Sequence, residues 1–313
     1  METNSPNPFP ESEEKKWLRR RHLSYFTDYR EDVGHDLAYL GLPAAEMLDV
    51  ILWRDVLSHI TAIERDPELI RIMYRTARLR DIRRKSLIVH GDLARVMRVL
   101  AAPDTEFSSL MAPFPFHEQE RVRKARRIDY DIINMDLCGG FLYRSAGPDG
   151  AEESTNVKVI QNLIAMQSRR GLRFLLILTL ALRDNGKQDY LGFIREYLSL
   201  LPPSEAKMSV EHYYTADKYK DQPPQLRRYR FCIPIFLLKE AFNYYHVRCE
   251  GAWSYKTFYH GLFLFDPKAP ISRLGSVYPP EKETQALLTA PLFRLKNVEG
   301  SVVPTLCPAP TLI

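Results

Sequence analysis

From Asp36 to Gly140 the chain repeats one pattern: an apolar run with strand character, an acidic or glycine-bearing turn, then apolar positions at helical spacing. The runs are Leu37 to Gly41, His59 to Glu64, Ser86 to Asp92 and Tyr130 to Asp136. After the first come Leu48, Ile51, Leu52, Val56 and Leu57, after the second Leu69, Ile70, Met73 and Tyr74, and after the third Leu93, Val96, Met97 and Leu100. Each set marks one helix face. Upstream, Trp17, Leu18, Leu23 and Phe26 line a helix from Glu14 to about Asp32 beneath a basic face, which reads as a lid or docking helix. Pro103 to His117 reads as a loop.

Beyond Gly140 the pattern predicts a turn-rich excursion from Gly147 to Ser154, a helix over Val157 to Arg169 and a fifth strand over Arg173 to Leu182. A further helix spans Tyr190 to Leu201, and another spans Ile233 to Tyr245 with Pro234 in its first turn. Two strands, His246 to Glu250 and Phe258 to Phe265, are joined by residues 251–257 as an antiparallel hairpin. The tail from Asp266 carries eight of the 22 prolines and is expected to be irregular or draped over the core. The expected organisation is a disordered tail (1–13), a basic helix (14–34), one large unit (35–265) with an insertion at 202–230, and the proline-rich tail (266–313). Strands alternating with helices predict an α/β fold with a mostly parallel sheet, whose ligand edge is the carboxyl ends of its strands. Glu64, Asp92 and Asp136 all fall on that edge.

Composition narrows the class. The longest apolar run, Phe174 to Leu182, is about half of a membrane span, so a membrane protein is not expected. The polar N-terminus is no signal peptide, and Cys138, Cys232, Cys249 and Cys307 form no CxxC pair, so a reducing cytoplasm is the simplest compartment. Net charge is +5, mildly basic, with clusters at Lys15 to Arg21, Arg78 to Lys85, Arg121 to Arg127 and Arg227 to Arg230. Each alone reads as a solvated helix face, whereas clusters sharing one face would point to a nucleic acid. Tyr213, Tyr214, Tyr219 and Tyr229 among Lys218, Lys220, Arg227, Arg228 and Arg230 mix aromatics with positive charge, which suits single-stranded nucleic acid or a protein partner.

Gly41 directly after a strand lets a ligand approach the backbone, but Ala44 and Ala45 stand where a phosphate-cradling loop carries further glycines. Glu64, some twenty residues on at the tip of the second strand, is placed to accept two ribose hydroxyls; the alternative is a surface carboxylate paired with nearby arginines. Asp92 is an N-cap, a ligand residue, or both. Cys138 is read as a small packed cysteine. His90, His246 and His260 show no ligand spacing, and no metal is expected.

In order, strand–Gly loop, strand–Glu, Gly–Asp and strand–Asp resemble the class I S-adenosylmethionine-dependent methyltransferases, over roughly residues 35 to 185. The resemblance implies a Rossmann-like, doubly wound, mostly parallel sheet with a C-terminal antiparallel hairpin, and S-adenosylmethionine as cofactor. It places Gly41 and Glu46 against the methionine moiety, Glu64 on the ribose hydroxyls, Asp92 beside the adenine and Asp136 at the catalytic loop facing the methyl acceptor; Asn134, one strand pleat away on the same side, is the second candidate there. The first loop lacks the usual three glycines, and the Asp136 loop (Asp-Leu-Cys-Gly-Gly) lacks the Pro-Pro-aromatic cluster of DNA amino-methylating enzymes. It is nearer to the Asp-Pro-Phe-Gly of some RNA methyltransferases and their relatives. The expected function is methylation of a nucleic acid, RNA ahead of DNA; the alternative is a non-catalytic relative kept as a binding or scaffolding module. A different Rossmann-like nucleotide enzyme is disfavoured by the missing phosphate signature.

Overall fold

The computed structural model describes residues 11–137, 140–142, 144–146, 152–182, 192, 196, 224–269 and 281–307. In chain order, α1 (Glu13–Val33) precedes β1 (Leu37–Gly41), α2 (Leu48–Trp53), β2 (Leu57–Glu64), α3 (Pro67–Leu79), a 3-10 turn (Arg83–Lys85), β3 (Ser86–His90) and α4 (Leu93–Leu100). Then come α5 (Asp104–Met111), α6 (Phe116–Arg126), β4 (Ile132–Leu137), the short strands β5 (Arg144–Ala146) and β6 (Glu152–Ser154), α7 (Thr155–Arg170) and β7 (Phe174–Ala181). The C-terminal part holds α8 (Pro224–Ala241), β8 (Tyr245–Tyr255), β9 (Phe258–Pro267), α9 (Glu281–Leu288), β10 (Leu292–Val298) and β11 (Ser301–Leu306).

Nine strands form one sheet in the order β11-β10-β8-β9-β7-β4-β1-β2-β3. β3, β2, β1, β4 and β7 are parallel, and β9 then runs antiparallel to β7 and to β8. The order reverses between β1 and β4, so these two strands flank the topological switch point where doubly wound sheets bind ligands. This is the Rossmann-like sheet with a terminal antiparallel hairpin that the resemblance implies. One apolar layer packs the sheet against α1, α2 and α3 (Leu18, Phe26, Trp53, Met73), the other against α4 to α9 (Met97, Val122, Leu163, Phe236). Strands buried on both faces read as continuous apolar runs, which is why β7 is buried at every position.

Asp131 stitches the amino ends of three strands. Its Oδ2 accepts the Ala38 amide at 2.8 Å, its own N–H donates to Ala38 O at 2.9 Å, and its carbonyl accepts from Leu175 N at 2.8 Å. His35 Nε2 lies 3.1 Å from Oδ1. Burial pushes this carboxyl up, while the Ala38 amide and His35 favour its ionised form.

Five stretches differ from the expectations. Val56 and Leu57 do not continue α2: the helix stops at Trp53, and Leu57 opens β2. Residues 103–117, expected as a loop, hold α5 and the start of α6, whose first turns follow Pro103 and Pro115 as prolines commonly do at helix starts. α8 starts at Pro224, so Pro234 lies inside it, and the supposed polar tyrosine stretch is partly core: Tyr229 is buried, receiving Phe141 N at 2.9 Å and donating to Ala181 O at 3.0 Å. Residues 251–255 belong to β8, with a bulge between Cys249 and Gly251. The Trp253 ring lies across Gly251, 2.1 Å from where a Cβ would stand, so packing and not a turn requires that glycine. Much of the proline-rich tail is ordered: α9 is followed by β10 and β11, which extend the sheet, and Pro304 sits on the edge strand, where a missing N–H costs least. The expected helix over Tyr190 to Leu201 lies almost wholly outside the described residues, as do Tyr213, Tyr214 and Tyr219.

Replacing Asp131 with alanine strands the buried Ala38 N–H, and a loss of about 2 kcal/mol in urea unfolding at neutral pH is expected; an unchanged midpoint would remove Asp131 from the frame of the sheet.

Candidate functional site

Gly41 pairs with Ala62 on one side and with Asn134 on the other. Glu64 and Asp136, each two residues further on, therefore lie at one level on one face of the sheet, two strand spacings apart, or about 10 Å. Asp92 follows β3 two residues past His90, the register partner of Glu64. All three carboxylates thus stand at the carboxyl ends of neighbouring parallel strands, in different surroundings.

Glu64 is half-buried and uses Oε1 to accept the amides of Arg65 (2.8 Å) and Asp66 (2.9 Å). Its Oε2 has no hydrogen bond among the described residues. The turn is braced from β3, because Gly91 N donates to Glu64 O at 2.9 Å and His90 Nε2 meets Arg65 O at 3.0 Å. Asp92 caps α4 through Oδ1, accepting from Arg95 N at 3.2 Å, and is exposed. Glu46 is half-buried in the loop after β1, between Ala44 and Met47, both at left-handed φ (56° and 52°). A Cβ on Gly41 would stand 2.5 Å from Asn134 O and 2.5 Å from the Tyr39 hydroxyl, so the close approach of β1 to β4 is enough to require glycine.

Asp136 opens into a polar chamber closed by α1 and α2. Lys15, Arg19 and His22 of α1, Asp49 and Trp53 of α2, Asn134, Thr179, Tyr255 and His260 surround a cavity of about 40 Å³. That holds a water or two, not a substrate. Arg19 is ion-paired with Asp49, whose Oδ2 accepts from Asn134 Nδ2 at 3.2 Å, and Trp53 Nε1 donates to Arg19 O at 3.0 Å. Asp136 has no hydrogen bond or ion pair among the described residues. Burial pushes its carboxyl up; Lys15 and Arg19 pull it down and Asp49 raises it further. Behind it, His260 Nδ1 meets Thr179 Oγ1 at 2.7 Å, and its Nε2 meets His22 Nε2 at 3.2 Å. Burial lowers both imidazoles, His22 to about 4 and His260 well below its usual value, so the pair is neutral, one ring donating to the other.

Sequence reasoning named Asn134 and Asp136 in this chamber but missed Arg19, His22, Asp49, Thr179 and His260. The signals were there: a histidine four residues from Leu18 and from Phe26 on the buried face of α1, and a lone threonine inside the aliphatic run of β7. Cys138 and Gly139 lie outside the described residues. The basic clusters do not share one face. Those at 78–85 and 121–127 flank β3, that of α1 lies elsewhere, and Arg230 of the fourth is buried.

The residues at β2 and β3 fit a nucleoside: carboxylate oxygens with no partner among the described residues stand beside a braced turn. At Gly41 the space a Cβ would take is already filled by protein, so that glycine is no open cradle.

No protein-family profile matches this chain, and no curated protein does. Solved structures similar to it include magnesium protoporphyrin IX methyltransferase ChlM from Synechocystis PCC 6803 with bound SAH (TM-score 0.39, 11% identity, 85% of this chain and 90% of that one). Precorrin-6y C5,15-methyltransferase from Geobacter metallireducens GS-15 is another (0.35, 14%, 84% and 93%). So is PH1948 from Pyrococcus horikoshii, an inferred RNA methyltransferase (0.37, 8%, 80% and 85%). At this level of likeness no site or substrate transfers to the present chain.

The histidine pair gives the protein a pH dependence. Unfolding frees His22 to bind a proton near pH 6.5, whereas folded it binds one only near 4. Stability from its neutral form is therefore complete above pH 6.5 and lost as pH falls toward 4, a loss of about 3 kcal/mol. In His22→Phe the fall in unfolding free energy between pH 6.5 and 4.5 should shrink by most of that amount, measured against wild type so that Asp131 and Asp136, which titrate in the opposite sense, cancel; parallel curves would contradict it.

Proposed function

We propose that this chain is an S-adenosylmethionine-dependent methyltransferase acting on a nucleic acid, RNA before DNA. The observation that carries the reading is the placement of Glu64 and Asp136 at one level on either side of Gly41, at the switch point of the sheet. Bound there, the cofactor would supply an electrophilic methyl group on a sulfonium. Glu64 Oε2 accepts the ribose hydroxyls, Asp92 accepts from the adenine edge, and the loop from Gly41 to Glu46 faces the methionine end. Asp136 receives the proton that the acceptor nitrogen or oxygen gives up. A carboxylate whose affinity for a proton is raised by burial is a better base than one in water. Asn134 orients the acceptor beside it. With room for a water or two, the chamber admits an acceptor only when the Lys15–Arg19 end of α1 moves aside, the lid role its position serves.

The closed chamber and the packed space at Gly41 favour a second reading, a non-catalytic relative that keeps the fold as a binding module. Calorimetric titration with S-adenosylmethionine and S-adenosylhomocysteine separates the two. Heat is expected with both ligands. Glu64→Ala should weaken binding by about 1.5–3 kcal/mol, as loss of charge-assisted hydrogen bonds does, while Asp136→Asn should leave it within a factor of about two, since it keeps the shape and holds no part of the cofactor. Absence of heat with either ligand would leave the binding-module reading standing.

A further inference from the structure

The basic residues of this chain are segregated. Residues 75–85 carry six basic and one acidic side chain, and residues 121–127 five basic and none acidic. These 18 positions thus hold ten net positive charges, while the whole chain holds five, so the rest is net acidic.

The fold brings the two segments together at one corner. β3 is the edge strand, with α3 against one face of the sheet and α6 against the other. Glu118, near the start of α6, accepts from His90 N at 3.0 Å at the carboxyl end of β3. α3 enters the Arg83–Lys85 turn through Arg78 and Arg80, and α6 lies on the other face of the same edge strand, with Arg126 of its last turn donating to Ala102 O at 2.7 Å and paired with Asp104 at 2.8 Å. Arg121 stacks over Tyr74 at 5.6 Å, joining α6 to α3 around the edge.

Arg75, Arg78, Arg80, Arg83, Arg84 and Arg127 are exposed and have no side-chain hydrogen bond or ion pair among the described residues. Arg123 has only the neutral Gln119, at 3.2 Å. So many uncompensated guanidinium groups at one corner repel one another and weaken the fold unless an anion is bound.

We propose that this corner anchors the phosphodiester backbone of an RNA, apart from the rim at Gly41. The inference deepens the function proposed above by naming how its nucleic-acid acceptor is held, and it stands on charge and placement that do not involve Asp136. Nine of the eleven basic groups are arginines, whose planar forks match phosphate oxygens two at a time. Only Leu79, 72% exposed, offers an apolar group of size among them, too little for insertion into a lipid surface. The corner lies at the amino end of β3 and Asp136 at the carboxyl end of β4, three strand spacings and a strand length away, or roughly 20–25 Å. An acceptor gripped at one and modified at the other is a structured RNA of about one helical turn or more.

The test is fluorescence anisotropy of the full chain with a labelled 20-base-pair RNA hairpin, in about 50–300 mM salt, the range over which phosphate contacts are read. Arg80→Ala/Arg83→Ala/Arg84→Ala/Arg127→Ala should lose at least about 30-fold in affinity at 100 mM salt and flatten the log–log salt slope by about three to four. Its melting temperature should hold or rise, because these exposed side chains have no hydrogen bond or ion pair among the described residues and their mutual repulsion is relieved. Arg20→Ala/Arg21→Ala on α1 should bind as wild type does. A quadruple variant as tight as wild type, or no RNA binding by wild type, overturns the proposal. So does binding to phosphatidylserine vesicles in preference to the hairpin. Salt-dependent RNA binding through these arginines with no heat from S-adenosylmethionine keeps the anchoring surface and sinks the methyltransferase reading; the reverse result sinks the surface alone.

Discussion

A partly buried carboxylate at the end of β4 is the constraint around which this end of the sheet is arranged. Asp136 sits where β4 ends, under α1, and an uncompensated charge there would be costly. The fold answers with Lys15 and Arg19 of α1, held in place by Asp49 and by the Trp53 indole bonded to the backbone of α1. The same helix then needs an apolar and aromatic underside to stay seated, and Leu18, Phe26 and Tyr29 provide it. Charge compensation above the site and core packing beside it are thus the work of one element. α1 carries one partner of each of two contacts on this side of the sheet, His22 to His260 and Arg19 to Asp49.

The parallel core was legible in sequence because its strands are buried on both faces, and apolar runs ending at Gly41, Glu64, His90 and Leu137 leave little else to form. The tip carboxylates were legible for the same reason, since a charged side chain ending an apolar run marks the point where the chain leaves the core. Where the reading failed, local signals were overridden by tertiary context. Gly251 looked like a turn residue and is a packing contact for Trp253; Pro234 looked like a helix start and lies within α8, a helix buried deeply enough to tolerate it. The prolines after Asp266 suggested irregular chain, yet the hairpin of β10 and β11 places its Pro304 on the outer strand. The chamber residues were invisible as a set because they come from α1, α2, β4, β7, β8 and β9, and only the topology brings them together.

Two regions of opposite character result. At the carboxyl edge Arg19 pairs with Asp49, while Glu64 Oε2 and Asp136 have no partner among the described residues; at the amino end of β3, Arg75, Arg78, Arg80, Arg83 and Arg84 are exposed with no ion pair among them. Under the proposed function, a polyanion would be drawn to the arginine corner before it reached Asp136.

Hydrogen exchange with and without S-adenosylhomocysteine tests the central claim, that the carboxyl ends of β1, β2 and β3 form a nucleoside site, most directly. At saturating ligand the amides of 41–47, 64–66 and 91–95 should exchange more slowly, with β10 and β11 unchanged as the internal reference. Unaltered exchange in all three segments, or protection confined to another part of the chain, would contradict it.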